Sequence, residues 1–298
     1  MRSVSIFFVL AIAFLLAADS AVAGPYTESP IGNDDPSIVG WATGYLNYEP
    51  ADGVEAPYND PTKALGKPTG DVTKVVSLGE SLIGSGVAPG QITMTFDAAI
   101  KNRPGYDLAV WENGFYVSGS LWYLELAYVE VSTDGVHFAR FPSVSLTAAP
   151  IGAYGELDPT NLHNLAGGKG QNAYGISQGT PFDLDDLAKD PLVAEGLVDL
   201  DNIRFVRIVD VPGGGAYSDD AEFFGYAANH PIYDPYPTIA PSAGFDLGAV
   251  AILDESNAGD DDDNDNDDND DNDASPPWRG DDDAAGASPA SHRGGCGS

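Results

Sequence analysis

The sequence predicts an all-β fold, an antiparallel β-sandwich with long loops, and three observations predict it. Short apolar runs recur at 91–96 (QITMTF), 106–111 (YDLAVW), 203–210 (IRFVRIVD) and 245–253 (FDLGAVAIL), each of strand rather than helix length. In the first of them Ile92, Met94 and Phe96 share one face and Gln91, Thr93 and Thr95 the other, the period of a strand with one wet side. The third observation is 125–141, ELAYVEVSTDGVHFARF. An apolar run, the turn residues Ser132-Thr133-Asp134-Gly135 and a resumed extended pattern make it a β-hairpin.

The remaining elements follow in order. Residues 24–35 are polar and interrupted by proline, an arm leading to the first packed segment. Residues 38–48 (IVGWATGYLNY) form an initial strand, and 50–71, with Pro50, Pro57, Pro61 and Pro68, a loop. A strand follows at 75–78. The run 106–111 carries apolar residues on both faces, so it is covered on both sides. Residues 114–123 connect it to the hairpin and hold Phe115, Tyr116, Trp122 and Tyr123. Residues 142–198 are irregular, with one helical turn at 182–187, and their aromatic content indicates an ordered loop. A second long loop, 212–242, precedes the closing strand.

Charge and the chain ends bound the setting. Forty-six Asp and Glu stand against 13 Lys and Arg, a net of −33, and such a field repels phosphate backbones, which excludes nucleic acid as a partner. Arg2, the apolar run 4–18 and the small-x-small triplet Ala21-Val22-Ala23 read as a secretory leader over 1–23. The β-sandwich domain then occupies 24–256. Residues 257–298 hold 13 Asp and two Arg, and 260–273 is Asp and Asn alone; like charges with no apolar area to bury predict a disordered acidic tail. Cys296 is the single cysteine, so an intramolecular disulfide is excluded.

The motifs 64–66 (ALG), 76–79 (VSLG), 92–96 (ITMTF), 111–115 (WENGF), 130–135 (EVSTDG) and 244–247 (GFDL) resemble, taken together, a family of bacterial cell-surface proteins of undefined role, many with C-terminal sorting signals. More distantly, 129–141 followed by 203–209 is similar to discoidin-like, coagulation-factor-like jelly rolls. That resemblance implies a galactose-binding-like sandwich, often with a structural calcium ion and a ligand site in loops at one end. The Asp/Asn-rich spacer ending in Gly294-Gly295-Cys296-Gly297 is similar to the region before a myxobacterial-type sorting tag, which implies surface anchoring through Cys296.

The chemistry expected of the residues is binding rather than catalysis. None of the four histidines lies in a zinc-protease or serine-hydrolase motif, and with so many acids a glycosidase pair carries no signal by count alone. Hard cations take loop carboxylates, amides and carbonyls, so the candidate calcium ligands are Glu112, Asn113, Asp210, Asp219, Asp234 and Asp246 at strand ends and in glycine-rich loops. Exposed aromatics stack on sugar rings, which makes Phe115, Tyr116, Trp122 and Tyr123 the candidate ligand-binding residues. The expected protein is a secreted or surface-attached, non-enzymatic binding or adhesion module, calcium-stabilised, whose partner is an extracellular glycan or a cell-envelope component. A purely structural envelope role and nutrient capture are its rivals.

Overall fold

In the computed structural model residues 23–257 are described. The expected leader, except Ala23, and the acidic tail, except Asn257, lie outside the described residues, as does Cys296. In chain order the strands are β1 (Ile31–Gly32), β2 (Ile38–Trp41), β3 (Gly44–Glu49), β4 (Val76–Ser77), β5 (Gln91–Ile100) and β6 (Leu108–Glu112). Then come β7 (Phe115–Ser118), β8 (Leu121–Tyr123), β9 (Ala127–Ser132), β10 (Ala139–Arg140), β11 (Val144–Ser145) and β12 (Leu162–His163). The last are β13 (Gln178–Phe182), β14 (Ile203–Asp210), β15 (Gly214–Ser218), β16 (Pro231–Tyr233) and β17 (Asp246–Leu253).

Two antiparallel sheets face each other. One runs β1-β13-β6-β17-β2, with β4 paired to β17, and the other runs β10-β9-β14-β5-β3. Strand alternation builds the space between them: Ile92, Met94 and Phe96 of β5, Val129 and Val131 of β9, and Val206 and Ile208 of β14 meet Leu108, Val110, Leu247, Val250 and Ile252 of the other sheet. The intervening residues turn outward. On β6 and β17 these are Ala109, Trp111, Ala249, Ala251 and Leu253, which form a second apolar layer with Ile31, Ile38 and Trp41. Strand β6 is therefore covered on both faces, as its apolar run predicts. Gly179 of β13 allows this layer to close, because a Cβ there would meet the Trp111 indole at 2.6 Å.

The hairpin at 125–141 is present as β9 and β10, joined by Ala139↔Val131 and Arg140↔Glu130. Its outward Glu130 is held by Arg140 and Arg207. The helical turn read at 182–187 is a 3-10 turn, Leu184–Leu187, capped by the Asp183 side chain on the Asp185 N–H.

Three loop expectations need correcting. Residues 114–123 form the hairpin β7–β8 rather than a plain connection. Residues 142–198 contain β11–β12, the sheet strand β13 and a helical turn at Pro191–Ala194. Residues 212–242 contain β15–β16. The missed strands are short or carry Gly and Pro, as QGTPF does in β13, and tertiary pairing overrides their weak local preference.

The N-terminal arm is clamped to the body. Lys169 is buried, and its Nζ donates to the carbonyls of Tyr26 and Pro159 and pairs with Glu28 Oε2 at 2.9 Å. Burial disfavours the Glu28 carboxylate, but hydrogen bonds from His163 and Lys169 outweigh this and hold it down at about 2. Lys169→Met should cost about 3 kcal/mol, since it leaves Glu28 and two carbonyls without their cation. Thermal melts will measure the loss, and limited proteolysis will show the arm cut first.

Candidate functional site

At one end of the sandwich β6 and β14 stop while β9 and β17 begin, because the pairings set Glu112 beside Leu247 and Asp210 beside Ala127. Sheet geometry thus gathers acids from the strand ends. Glu112 closes β6, Asp210 closes β14, Asp246 opens β17, Glu125 precedes β9, Asp234 follows β16, and Glu80 follows β4. All six are buried.

Their hydrogen bonds cover only part of their oxygens. Glu112 Oε2 accepts from the Gly114 N–H at 2.7 Å, Asp210 Oδ1 from the Phe245 N–H at 2.9 Å, Asp234 Oδ2 from the Leu126 N–H at 2.9 Å, and Asp246 Oδ2 from Asn113 Nδ2 at 2.9 Å. Glu112 Oε1, Asp210 Oδ2 and Asp246 Oδ1 have no partner. Ser77 lies near Asp246, but its hydroxyl donates to the Ala243 carbonyl. Gly213 is required beside Asp234, since a Cβ there would overlap the carboxylate.

The electrostatics follow from this crowding. Burial pushes Glu112, Glu125, Asp210 and Asp234 well above the usual carboxylate range, and the neighbouring acids add to it: Asp246 raises Glu112, Glu125 and Asp210, while Asp210 raises Asp234. Asp246 is raised by burial, partly offset by hydrogen bonds. Glu80 is pushed up to about 7 by burial. Buried charge without a counter-charge is costly, so these groups hold protons or share a cation.

Two of these acids, Glu125 and Asp246, line a cleft of about 230 Å³ walled by Tyr58, Phe115, Tyr123, Tyr154 and Tyr174, with Asn113, Thr238 and Ser242 supplying further polar atoms. Phe115 stacks on Tyr123 with ring centroids 5.3 Å apart, and the Tyr174 ring meets Phe115 edge-on at 5.5 Å. Tyr123 donates its hydroxyl to Glu125 Oε1 at 3.3 Å. Tyr154 and Tyr174 are 63% and 74% exposed, and both have left-handed backbone, with φ of +58° and +54°. Among the described residues the other non-glycine positions of this kind are Asn47 and Asn164, a residue type that tolerates it. Two bulky side chains in that conformation beside one cleft are strained positions of the sort that cluster at ligand sites.

The candidate residues divide accordingly. Phe115 and Tyr123 face the cleft, while Tyr116 and Trp122, their neighbours in the hairpin, pair with each other on its opposite side. Trp122 packs against the cluster of Leu124, Leu126, Leu157 and Leu162, because adjacent strand residues point to opposite faces. Asn113 and Asp246 line the cleft, while Glu112, Asp210 and Asp234 are buried near Asp246 without lining it. Asp219 does not join them. Its two oxygens are taken by the N–H groups of Ser145, Ala221 and His230 and by the His230 ring, which makes it a loop cap.

A cation fits the gathered acids in its chemistry and only partly in its geometry. The donors are all hard oxygens, and three of them are unpartnered. Among the described residues, however, no three Asp, Glu, His or Cys side chains are gathered so as to hold one metal ion. An ion would therefore take one or two of these carboxylates and complete its shell with neutral oxygens.

Sequence reading missed Glu80, Glu125, Tyr154 and Tyr174. Glu125 had the signal that marked Asp210 and Asp246, a carboxylate flanking a buried strand. The two tyrosines share a local context, Ala153-Tyr154-Gly155 and Ala173-Tyr174-Gly175, but nothing in that triplet tells that the chain brings both to one cleft. No protein-family model matches the chain, and no match was found among curated proteins.

Proposed function

We propose that this chain is an exported, cell-surface-type binding module without catalytic activity, whose ligand is a carbohydrate and whose gathered acids are neutralised by calcium. The observation that carries this reading is the pair Tyr154 and Tyr174, exposed aromatics held in strained backbone over a floor of hydrogen-bonding groups. Aromatic faces meet the C–H faces of a sugar ring, and Asn113, Glu125 and Thr238 are placed for its hydroxyls. The cleft is smaller than the ~300–1,000 Å³ of typical drug-sized sites, which suits one ring or a chain end. The likeness to galactose-binding-like sandwiches supports a ligand site at one end of the sheets by analogy of fold alone.

The pair Glu125 and Asp246 in the same cleft favours a second reading, a glycosidase. Against it, both acids are raised by burial, and no Lys, Arg or His is among the described residues lining the cleft to keep one of them ionised as a nucleophile beside a protonated partner. A glycan array, run with calcium and with chelator, tests the proposal. Binding of a defined glycan class that is lost in chelator supports it, and silence across the array favours a structural envelope role. Release of sugar from chromogenic glycosides would replace it with the enzyme.

A further inference from the structure

On the other side of Thr238 and Ala240 lies a second and larger cavity, about 480 Å³, which shares those two residues with the aromatic cleft. Its walls are Leu82, Ile239, Ala240, Pro241 and Ala243, and its charged groups are Asp52, Glu55 and Glu80. Glu80 is 8% exposed, and its Oε2 accepts from the Thr238 N–H at 3.3 Å. The walls are pinned before any ligand arrives. Ile83 donates its N–H to the Tyr236 hydroxyl at 2.6 Å, and Glu55 donates its N–H to the Pro241 carbonyl at 3.0 Å.

We infer that this cavity binds an organic ammonium ion, a positive nitrogen on a short apolar body, with the nitrogen on Glu80 and the body against Leu82, Ile239 and Pro241. The lining contains three carboxylates and no lysine, arginine or histidine, so an entering cation meets attraction without competition. A bare divalent ion is the poorer match, because about six to eight oxygens are needed to strip its water and the facing walls are carbon. An apolar amine uses both halves of the cavity. It desolvates on the aliphatic walls and gives a charge-assisted hydrogen bond to a buried carboxylate. Leu82 and Ile239, 51% and 86% exposed, are otherwise large apolar groups left in water at its mouth. The inference does not need a sugar in the aromatic cleft, but Glu80 is shared with the acids assigned to calcium, so calcium is removed for its test.

Calorimetric titration of the full chain with cyclohexylmethylamine and with its neutral counterpart cyclohexylmethanol, both in chelator at pH 8, where Glu80 is ionised and the amine still charged, tests the inference. The amine is expected to bind about tenfold or more tightly than the alcohol, the worth of a hydrogen bond to a charged group. Glu80→Gln should bring the amine down to the affinity of the alcohol, and Tyr174→Gly in the neighbouring cleft should leave amine binding unchanged. If Glu80→Gln does not fold, Ile239→Ser, at an exposed position, should weaken the amine severalfold. Equal binding of amine and alcohol, a folded Glu80→Gln variant that binds like the parent, or an Ile239→Ser variant of unaltered affinity would each overturn it.

Discussion

In chelator, the melting temperature of this protein is expected to fall as the pH is raised from 5 to 8, and calcium is expected to restore most of the loss at pH 8. Burial moves Glu80 from an ordinary 4.5 to about 7 and Asp107 from 3.8 to about 7. A carboxyl raised in this way holds its proton in the folded state after the unfolded chain has released its own. Its stabilising contribution is complete below the unfolded value and is lost as the pH climbs through the folded one. At ~1.4 kcal/mol per unit, each of these two groups accounts for about 3 kcal/mol. Since 1 kcal/mol moves the melting temperature of a chain this size by about 2–4 °C, the pair alone produces a shift on the order of 10 °C. Glu112, Glu125, Asp210, Asp234 and Asp246 are raised too and add to the slope in the same direction.

The two parts of that slope respond differently to metal. Asp107 stands apart from the cleft, accepting the N–H groups of Arg103 at 2.8 Å and Leu184 at 2.8 Å. Calcium should leave its share of the slope in place and remove the share of the gathered acids. Scanning calorimetry at four pH values, with and without calcium, separates them. A slope that calcium leaves untouched at pH 8 would remove calcium from the proposal while leaving the cleft intact, and a flat profile in chelator would contradict the burial of the acids altogether.

The sandwich was legible because its strands obey a period that water enforces. Ile92, Met94 and Phe96 face the core for the reason the alternation gives, and the doubly apolar 106–111 is covered on both sides. The carboxylate set was half legible: Glu112, Asp210 and Asp246 sit where strands end, and strand ends of the two facing sheets meet at one end of the sandwich. Depth was not legible, since nothing local to Asp219 tells that loop N–H groups will saturate it while Asp210 keeps a bare oxygen. The aromatic set shows the same limit. Phe115 and Tyr116 are adjacent and equally aromatic, and only the unforeseen hairpin register sends one into the cleft and the other to Trp122.

Replacing Tyr154 and Tyr174 by glycine separates the purpose of these residues from the stability of the fold. A non-glycine residue in left-handed backbone costs roughly 1–2 kcal/mol, and glycine gives back about 0.5–1 kcal/mol of that through greater freedom in the unfolded chain. Tyr174→Gly also loses its edge contact with Phe115, worth about 0.5–1.5 kcal/mol, and Tyr154→Gly loses a hydroxyl bond to the Ile239 carbonyl. These terms nearly cancel, so each variant should melt within a few degrees of the parent. Affinity for a glycan identified on the array should meanwhile drop about tenfold per ring, the stacking energy expressed as a binding constant. Trp122→Ala is the counterpart: it opens the leucine cluster beneath the hairpin, lowers the melting temperature and spares binding. If the glycine variants instead melt far below the parent, the two rings are lids on the core. If they melt and bind as the parent does, the cleft is not where the glycan sits.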